Sequence, residues 1–346
     1  MSVAEMFSDF VDNLAIANVE TISTRYGELT SALNKHFRDT ESKTENTLQV
    51  GSFGRKTGIN GISDLDMLYI MPKTKWGDYN KAGGQLALLK DAKEAILKRY
   101  PKTKVKVDRL VVTVTYTDFH VEVQPVFEQD DKSYRYPDTK NGGSWKTTKP
   151  REEMKAVADL DKKKNSNLRC LCKMARAWKN KHGVGMGGLL LDTLAYNFLD
   201  STTDFDIKSF LYYDLMSRDF FKYLSDLEEE QTEYAAPGSK QRVKVKNKFP
   251  KKAKKPTDSV WMPSRQRAKK TSMTSGRKFM GGHFLHPRRW RKKLWQGRRR
   301  AGIIQRSLSR TNFQLIFGNP CNWIARSSRT DSVSFPFETC WPGGFL

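Results

Sequence analysis

Two carboxylates, Asp64 and Asp66, stand one residue apart, and eleven residues separate them from the dipeptide Gly51-Ser52 upstream. Each residue type suits the handling of a triphosphate. A glycine lets the backbone approach a phosphate closely, and N–H groups exposed in a glycine-rich turn bind anions. The Ser52 hydroxyl adds a donor for a β- or γ-phosphate oxygen. On a strand, Asp64 and Asp66 point to one face while Leu65 points to the other. Two carboxylates on one face repel each other unless a cation lies between them. Mg²⁺ suits that place, because it takes carboxylates, triphosphate oxygens and water together. An Asp-x-Asp pair alone is often a solvated strand edge, and a Gly-Ser turn alone says less. The order strand, turn, strand carries the reading.

A third acid is needed for two metal sites. In DFHVEVQPVF, Phe119, Val121 and Val123 alternate with His120, Glu122 and Gln124, so Glu122 faces away from the core packing. A mid-strand Glu between valines is costly without a partner. Glu122 is therefore read as the third metal ligand and Asp118 as its reserve. His120 is left as a supporting residue, because Mg²⁺ prefers oxygen. Arg169 and Lys173 are four apart on one helical face and would line a cleft together; Lys173 is the preferred triphosphate contact. Against this, basic residues on helices are usually solvated. The chemistry expected is phosphoryl or nucleotidyl transfer, which rests on positioning and charge neutralisation. Two Mg²⁺ ions, or Mn²⁺ in their place, would be held by the catalytic acids Asp64, Asp66 and Glu122.

These residues need elements to hold them. Residues 3–37 read as one helix with Phe7, Val11, Ala15, Val19, Ile22, Tyr26, Leu29 and Leu33 on one stripe. Leu48–Val50 and Asp64–Met71 read as strands around the glycine-rich turn, the second closed by Pro72. Gly83–Tyr100 reads as a helix whose apolar side includes Leu86 and Leu89. VKVDRLVVTVTYTDFHVEVQPVF reads as two adjacent strands. Residues 128–150 are polar and turn-rich and read as a loop or linker. Helices follow at Asn165–His182, Met186–Leu199 and Asp206–Glu230. The domain organisation expected is a catalytic lobe over 1–150, a helical lobe over 151–250 and a basic tail over 251–346.

The chain has 346 residues, 38% of them hydrophobic, enough for two ordinary domains. It carries no apolar run long enough to cross a bilayer and no basic-then-apolar start, so no signal peptide is expected and a cytoplasmic location is. Cys170, Cys172, Cys321 and Cys340 show no paired zinc spacing. The net charge is +24, yet residues 1–236 hold 35 charges of each sign. All of the excess lies beyond Pro237, where five of the eight tryptophans also fall. Three readings of that stretch stay open. It is a nucleic-acid-binding tail, with Arg for phosphates and Trp for stacking; a disordered tail, though such tails are usually poor in Trp and Phe; or a translated frameshift.

Gly51-Ser52, Asp64-x-Asp66 and Glu122 together resemble the polymerase-β nucleotidyltransferase signature. The longer strings GSFGRKTGINGISDLDMLYIMP, DFHVEVQPVF and LRCLCKMARAWKNKHGVGMGGLLLDTLAYNFL resemble the bacterial CD-NTases, also called SMODS proteins, which are kin of cyclic GMP–AMP synthase and the oligoadenylate synthetases. The resemblance covers roughly residues 1–250. It implies an α+β enzyme, with a mixed-sheet nucleotidyltransferase lobe, a helical second lobe and an active site in the cleft. It implies a cyclic or short linear oligonucleotide made from nucleoside triphosphates, a downstream effector that this product activates, and a role in antiphage signalling. Gly51 and Ser52 match the family's triphosphate turn, Asp64, Asp66 and Glu122 its metal triad, and Lys173 approximately its basic helix residue. The third acid is more often Asp in that family. The alternatives are a nucleotidyltransferase acting on RNA ends, a protein or a small molecule, and, in another class, a nucleic-acid-binding protein acting through its basic tail.

Overall fold

A computed structural model of the chain describes residues 2–253, all within one compact unit. Residues 254–346, and with them nearly all of the basic tail, Cys321, Cys340 and the three readings of that stretch, lie outside the described residues.

The first helical stretch is two helices, not one. α1 (Val3–Asn13) and α2 (Val19–Arg38) are separated by a break after Leu14, whose carbonyl accepts from the Asn60 amide at 2.8 Å. A capping box starts α1: the Ser2 hydroxyl accepts from the Glu5 amide, and the Glu5 carboxylate accepts from the Ser2 amide. The apolar positions keep helical spacing across the break but serve different cores. Phe7, Phe10 and Val11 pack with the later helices, whereas Ile22, Leu29 and Leu33 pack on the sheet.

The sheet begins with β1 (Thr47–Gln49), which leads through the one-turn helix α3 (Gly51–Gly54) into β2 (Asp64–Ile70). After α4 (Trp76–Tyr79) and α5 (Gly84–Arg99) come β3 (Lys104–Val107), β4 (Val112–Thr115) and β5 (His120–Glu128). The stretch read as two strands is thus three, because the lysine-alternating KVKV segment pairs as an edge strand with β4. Leu86 faces solvent on α5, and Leu88, Leu89, Ala92 and Ile96 form its buried side. Residues 128–150 are not a linker. They form a hairpin of β6 (Tyr134–Asp138) and β7 (Ser144–Thr148), with Tyr134 fully buried. The turn residues that made the segment read as loop, Asn141, Gly142 and Gly143, are its connection and all have positive φ. The strand order is β1-β2-β5-β4-β3, with β6 on the far end of β5 and β7 on β6. β2 and β5 are parallel, and every other pairing is antiparallel.

The second half is helical: α6 (Pro150–Lys163), α7 (Asn167–Lys181), α8 (Gly188–Asp200) and α9 (Tyr213–Asp226), followed by a small hairpin of β8 (Glu233–Ala235) and β9 (Arg242–Lys244). α6 was not anticipated, although it opens with Pro150 at its first turn and Glu152 and Glu153 beside it, which is a normal helix start. Two main cores result. One lies between the sheet and α2 and α5; the other joins α1 to α6–α9 around Trp178, Phe198 and Phe220. Phe249 and Ala253 are buried in the second core, so packing continues into the lysine-rich stretch after β9. No helix among the described residues is long and apolar enough to cross a membrane.

Phe249 is 2% exposed. Phe249→Ala is expected to cost about 3 kcal/mol of stability, measured by denaturant unfolding. An unchanged unfolding midpoint would show that the helical core ends earlier in the chain.

Candidate active site

Alternation along β2 and β5 builds the acid face. Leu65, Met67 and Tyr69 on β2, with Val121, Val123 and Phe127 on β5, point into the core between sheet and helices. Asp64, Asp66, His120, Glu122 and Gln124 therefore share the opposite face. The parallel register sets Asp64 beside His120 and Asp66 beside Glu122. His120 Nε2 lies 3.2 Å from Asp64 Oδ1, an oxygen that also accepts from the Ser63 hydroxyl. Asp118 is exposed in the β4–β5 turn. Burial raises the Asp66 carboxyl above its usual range; the Asp64 charge pushes it the same way, and Arg55 pulls it back. Glu122 is raised by burial and by the charges of Asp66 and Asp64. Close carboxylates that each hold protons more tightly than usual are a set wanting a cation.

Gly51 is tightly specified. Its φ is +64°, and a Cβ there would meet the Asp66 carboxylate at 1.8 Å. The turn and the acid strand are bound together by the Val50 amide, which donates to the Asp66 carbonyl at 3.1 Å. The Gly54 and Arg55 amides return to the carbonyls of Val50 and Gly51, which closes the single turn of α3.

Gly51, Ser52, Asp64, Asp66 and Glu122 line one cleft of about 600 Å³, within the range of small-ligand sites. Facing them from α7 and α8 are Arg176, Lys179, Asn180 and Gly188. Burial lowers the Lys179 ammonium, the Arg176 charge lowers it further, and Asp64 opposes both, so Lys179 sits within electrostatic reach of the acids. Lys173 does not line this cleft. It borders a separate cavity behind α3, formed by α2, β1 and residues such as Phe53 and Lys56. Arg169 is not a cleft residue either: it donates to the Arg55 carbonyl at 3.2 Å and pairs with Asp161 at 3.1 Å. Helical spacing put Arg169 and Lys173 on a common face but did not say which face of α7 the cleft would use. Arg176 and Lys179, one and two turns further on, occupy it.

The back wall of the cleft is a buried ion cluster. Asp192 accepts from Arg55 Nε at 3.0 Å, from Thr57 Oγ1 at 2.7 Å and from the Arg176 guanidinium at 2.7 Å. Burial pushes the Asp192 carboxyl up, but Arg176, Arg55 and the Thr57 hydrogen bond outweigh it and the net direction is down. Arg55 also lies 3.6 Å from Glu153, which accepts from the Ser239 hydroxyl. A signal for this cluster existed: Asp192 is the one charge between Gly188 and Leu199, and a lone carboxylate in an apolar helix needs buried partners.

Asp64, Asp66 and Glu122 form an all-oxygen donor set, which is the chemistry Mg²⁺ prefers. Among the described residues no three Asp, Glu, His or Cys side chains already close around one point. The acids share an open face, and a Mg²⁺ site of this kind is completed by substrate phosphates and water rather than by protein alone. The residues fit the ion on those terms.

Residues 1–161 match the family model of the Second Messenger Oligonucleotide or Dinucleotide Synthetase domain. No curated protein matches the chain. Among solved structures, E. coli MS115-1 CdnC in its complex with HORMA-deltaN superposes with a TM-score of 0.60 at 14% identity, over 82% of this chain and 98% of that one. Bradyrhizobium diazoefficiens CD-NTase CdnG in complex with GTP gives 0.55 at 12% identity, over 86% and 99%. The Vibrio cholerae DncV cyclic AMP-GMP synthase with nonhydrolyzable GTP gives 0.55 at 15% identity, over 69% of each chain. The chain has the fold of the CD-NTases, a mixed sheet with helices.

The raised carboxyls make a pH prediction. The folded chain holds the Asp66 and Glu122 protons more tightly than the unfolded chain does. The resulting stabilisation is complete below the ordinary carboxylate range and is lost as pH rises through the raised values. At neutral pH, without divalent cation, Glu122→Gln is therefore expected to melt higher than wild type. Mg²⁺ with a nucleoside triphosphate should raise the melting temperature of wild type more than that of the variant. A variant that melts lower without cation and responds equally to Mg²⁺ would remove Glu122 from the acid set.

Proposed function

From a Second Messenger Oligonucleotide or Dinucleotide Synthetase domain in residues 1–161 and a CD-NTase fold around it, we propose that this chain is a Mg²⁺-dependent nucleotidyltransferase that joins ribonucleoside triphosphates into a cyclic or short linear oligonucleotide. The observation that carries the reading is the cleft itself. Asp66 and Glu122 stand side by side in register with Asp64, the Gly51 backbone lies against the Asp66 carboxylate, and Lys179 faces them. Residues 1–150 act as the catalytic lobe and residues 151–250 as the helical lobe.

The Gly51-Ser52 turn and Lys179 bind the triphosphate, the turn through backbone N–H groups and a hydroxyl, Lys179 through its charge. Asp64, Asp66 and Glu122 hold the divalent ions, which when bound lower the pKa of the attacking sugar hydroxyl and neutralise the leaving pyrophosphate. His120 orients the Asp64 carboxylate from the side. The apolar side chains of Leu189, Ile59 and Ile62 on the cleft wall limit water around the reacting groups. ATP and GTP are the first substrates to test, since relatives of this fold are described with ATP and with GTP. The product would activate a downstream effector in antiphage defence, as the family resemblance implies.

The test uses purified chain, Mg²⁺ and all four labelled ribonucleoside triphosphates, with products resolved after phosphatase treatment. Wild type is expected to leave a phosphatase-resistant product, and the Asp64→Ala/Asp66→Ala double variant none. Lys179→Ala should raise KM for the triphosphate about tenfold, the effect of removing one charge-assisted contact of about 1.5 kcal/mol, while Lys173→Ala leaves KM unchanged. Label transfer to added RNA or protein in place of a small product would favour the other nucleotidyltransferase reading.

A further inference from the structure

α3 is one turn long and ends on Gly54, and the segment after it contains Gly58 and Gly61. A helix that short does not hold itself in place, and that glycine content makes the segment compliant. Its position is set from outside. The Ser52 carbonyl accepts from the Thr57 amide at 2.9 Å and the Gly58 amide at 3.0 Å. Thr57 is fully buried, and its hydroxyl lies 2.7 Å from Asp192 Oδ2 and 3.4 Å from the Ser52 carbonyl. A hydroxyl has one proton to give. The short contact to an ionised carboxylate takes it, which leaves Ser52 held by the two backbone amides.

Asp192 is anchored in turn by Arg176, one turn before Lys179 on α7. The same carboxylate therefore reaches both sides of the triphosphate site. Through Thr57 it reaches the Ser52 turn, and through Arg176 it reaches the stretch of α7 that carries Lys179.

We propose that Thr57 and Asp192 are positioning residues that fix the Ser52 turn relative to Lys179. This rests on the functional reading above. Neither residue touches the reacting atoms. The Thr57 hydroxyl transmits the place of Asp192 to the turn, and misplacement of such a turn by about 1 Å is enough to cost on the order of a hundredfold in rate.

The experiment compares Thr57→Val, which keeps the shape and removes the hydroxyl, with Thr57→Ser, which keeps the hydroxyl, each in the full chain. Two readouts are taken: KM and kcat for ATP and GTP, and amide hydrogen exchange over residues 51–58. Thr57→Val is expected to raise KM about tenfold and to speed exchange at Ser52–Gly58, with Thr57→Ser close to wild type in both. An unchanged KM in Thr57→Val, or equal defects in Val and Ser, overturns the proposal; a purely structural role would lower the folded fraction without moving the KM of the remainder. Should wild type turn over no triphosphate, the functional reading fails. Exchange then decides the positioning role alone: protection lost in Val and kept in Ser supports it, and equal protection in all three overturns it.

Discussion

A carboxylate shut away from water, Asp192, is the fixed point of this molecule. Burying a lone charge is costly, and a buried ion pair returns that cost only when geometry and remaining hydrogen bonds are good. Here one carboxylate faces two guanidiniums and a hydroxyl. Arg55 and Thr57 come from the glycine-rich segment between β1 and β2, and Arg176 comes from α7. Removing Asp192 would leave Arg55 with Glu153 as its remaining carboxylate and Arg176 without one. The cluster therefore ties the glycine-rich segment to both α7 and α8.

A second constraint acts on the sheet. β2 and β5 are parallel neighbours in the register that sets Asp66 beside Glu122. A slip of β2 by one residue would turn Leu65 toward the cleft and Asp64 and Asp66 into the core. Burial of Leu65, Met67, Val121 and Val123 thus enforces the register that brings the carboxylates together. The mutual repulsion of the carboxylates is the cost of that register. Gly51 follows from the same crowding, since only a residue without Cβ fits against Asp66 at that φ.

Much of this was legible in the sequence. Alternation around Leu65 and around Val121 and Val123 sufficed to put Asp64, Asp66 and Glu122 on one face, and the Gly-Ser turn stood between the right strands. What escaped was set by tertiary placement. The break after Leu14 is invisible because helical spacing runs through it. The β6–β7 hairpin hid behind its own turn residues. Lys173 and Lys179 lie on one helix, and spacing alone cannot say which face of α7 meets the cleft. Arg55, Thr57 and Asp192 are far apart in sequence, so only their burial in the fold makes them one cluster.

In the proposed arrangement the triphosphate lies between the Ser52 turn and Lys179, over Asp64, Asp66 and Glu122. A crystal structure of the chain with a nonhydrolysable ATP analogue and Mg²⁺ tests that directly. The expected result is phosphate oxygens on the Ser52 hydroxyl and Lys179 Nζ, with metal density among the three carboxylates. An analogue bound instead beside Lys173, in the cavity behind α3, with the three carboxylates free of metal, would contradict it.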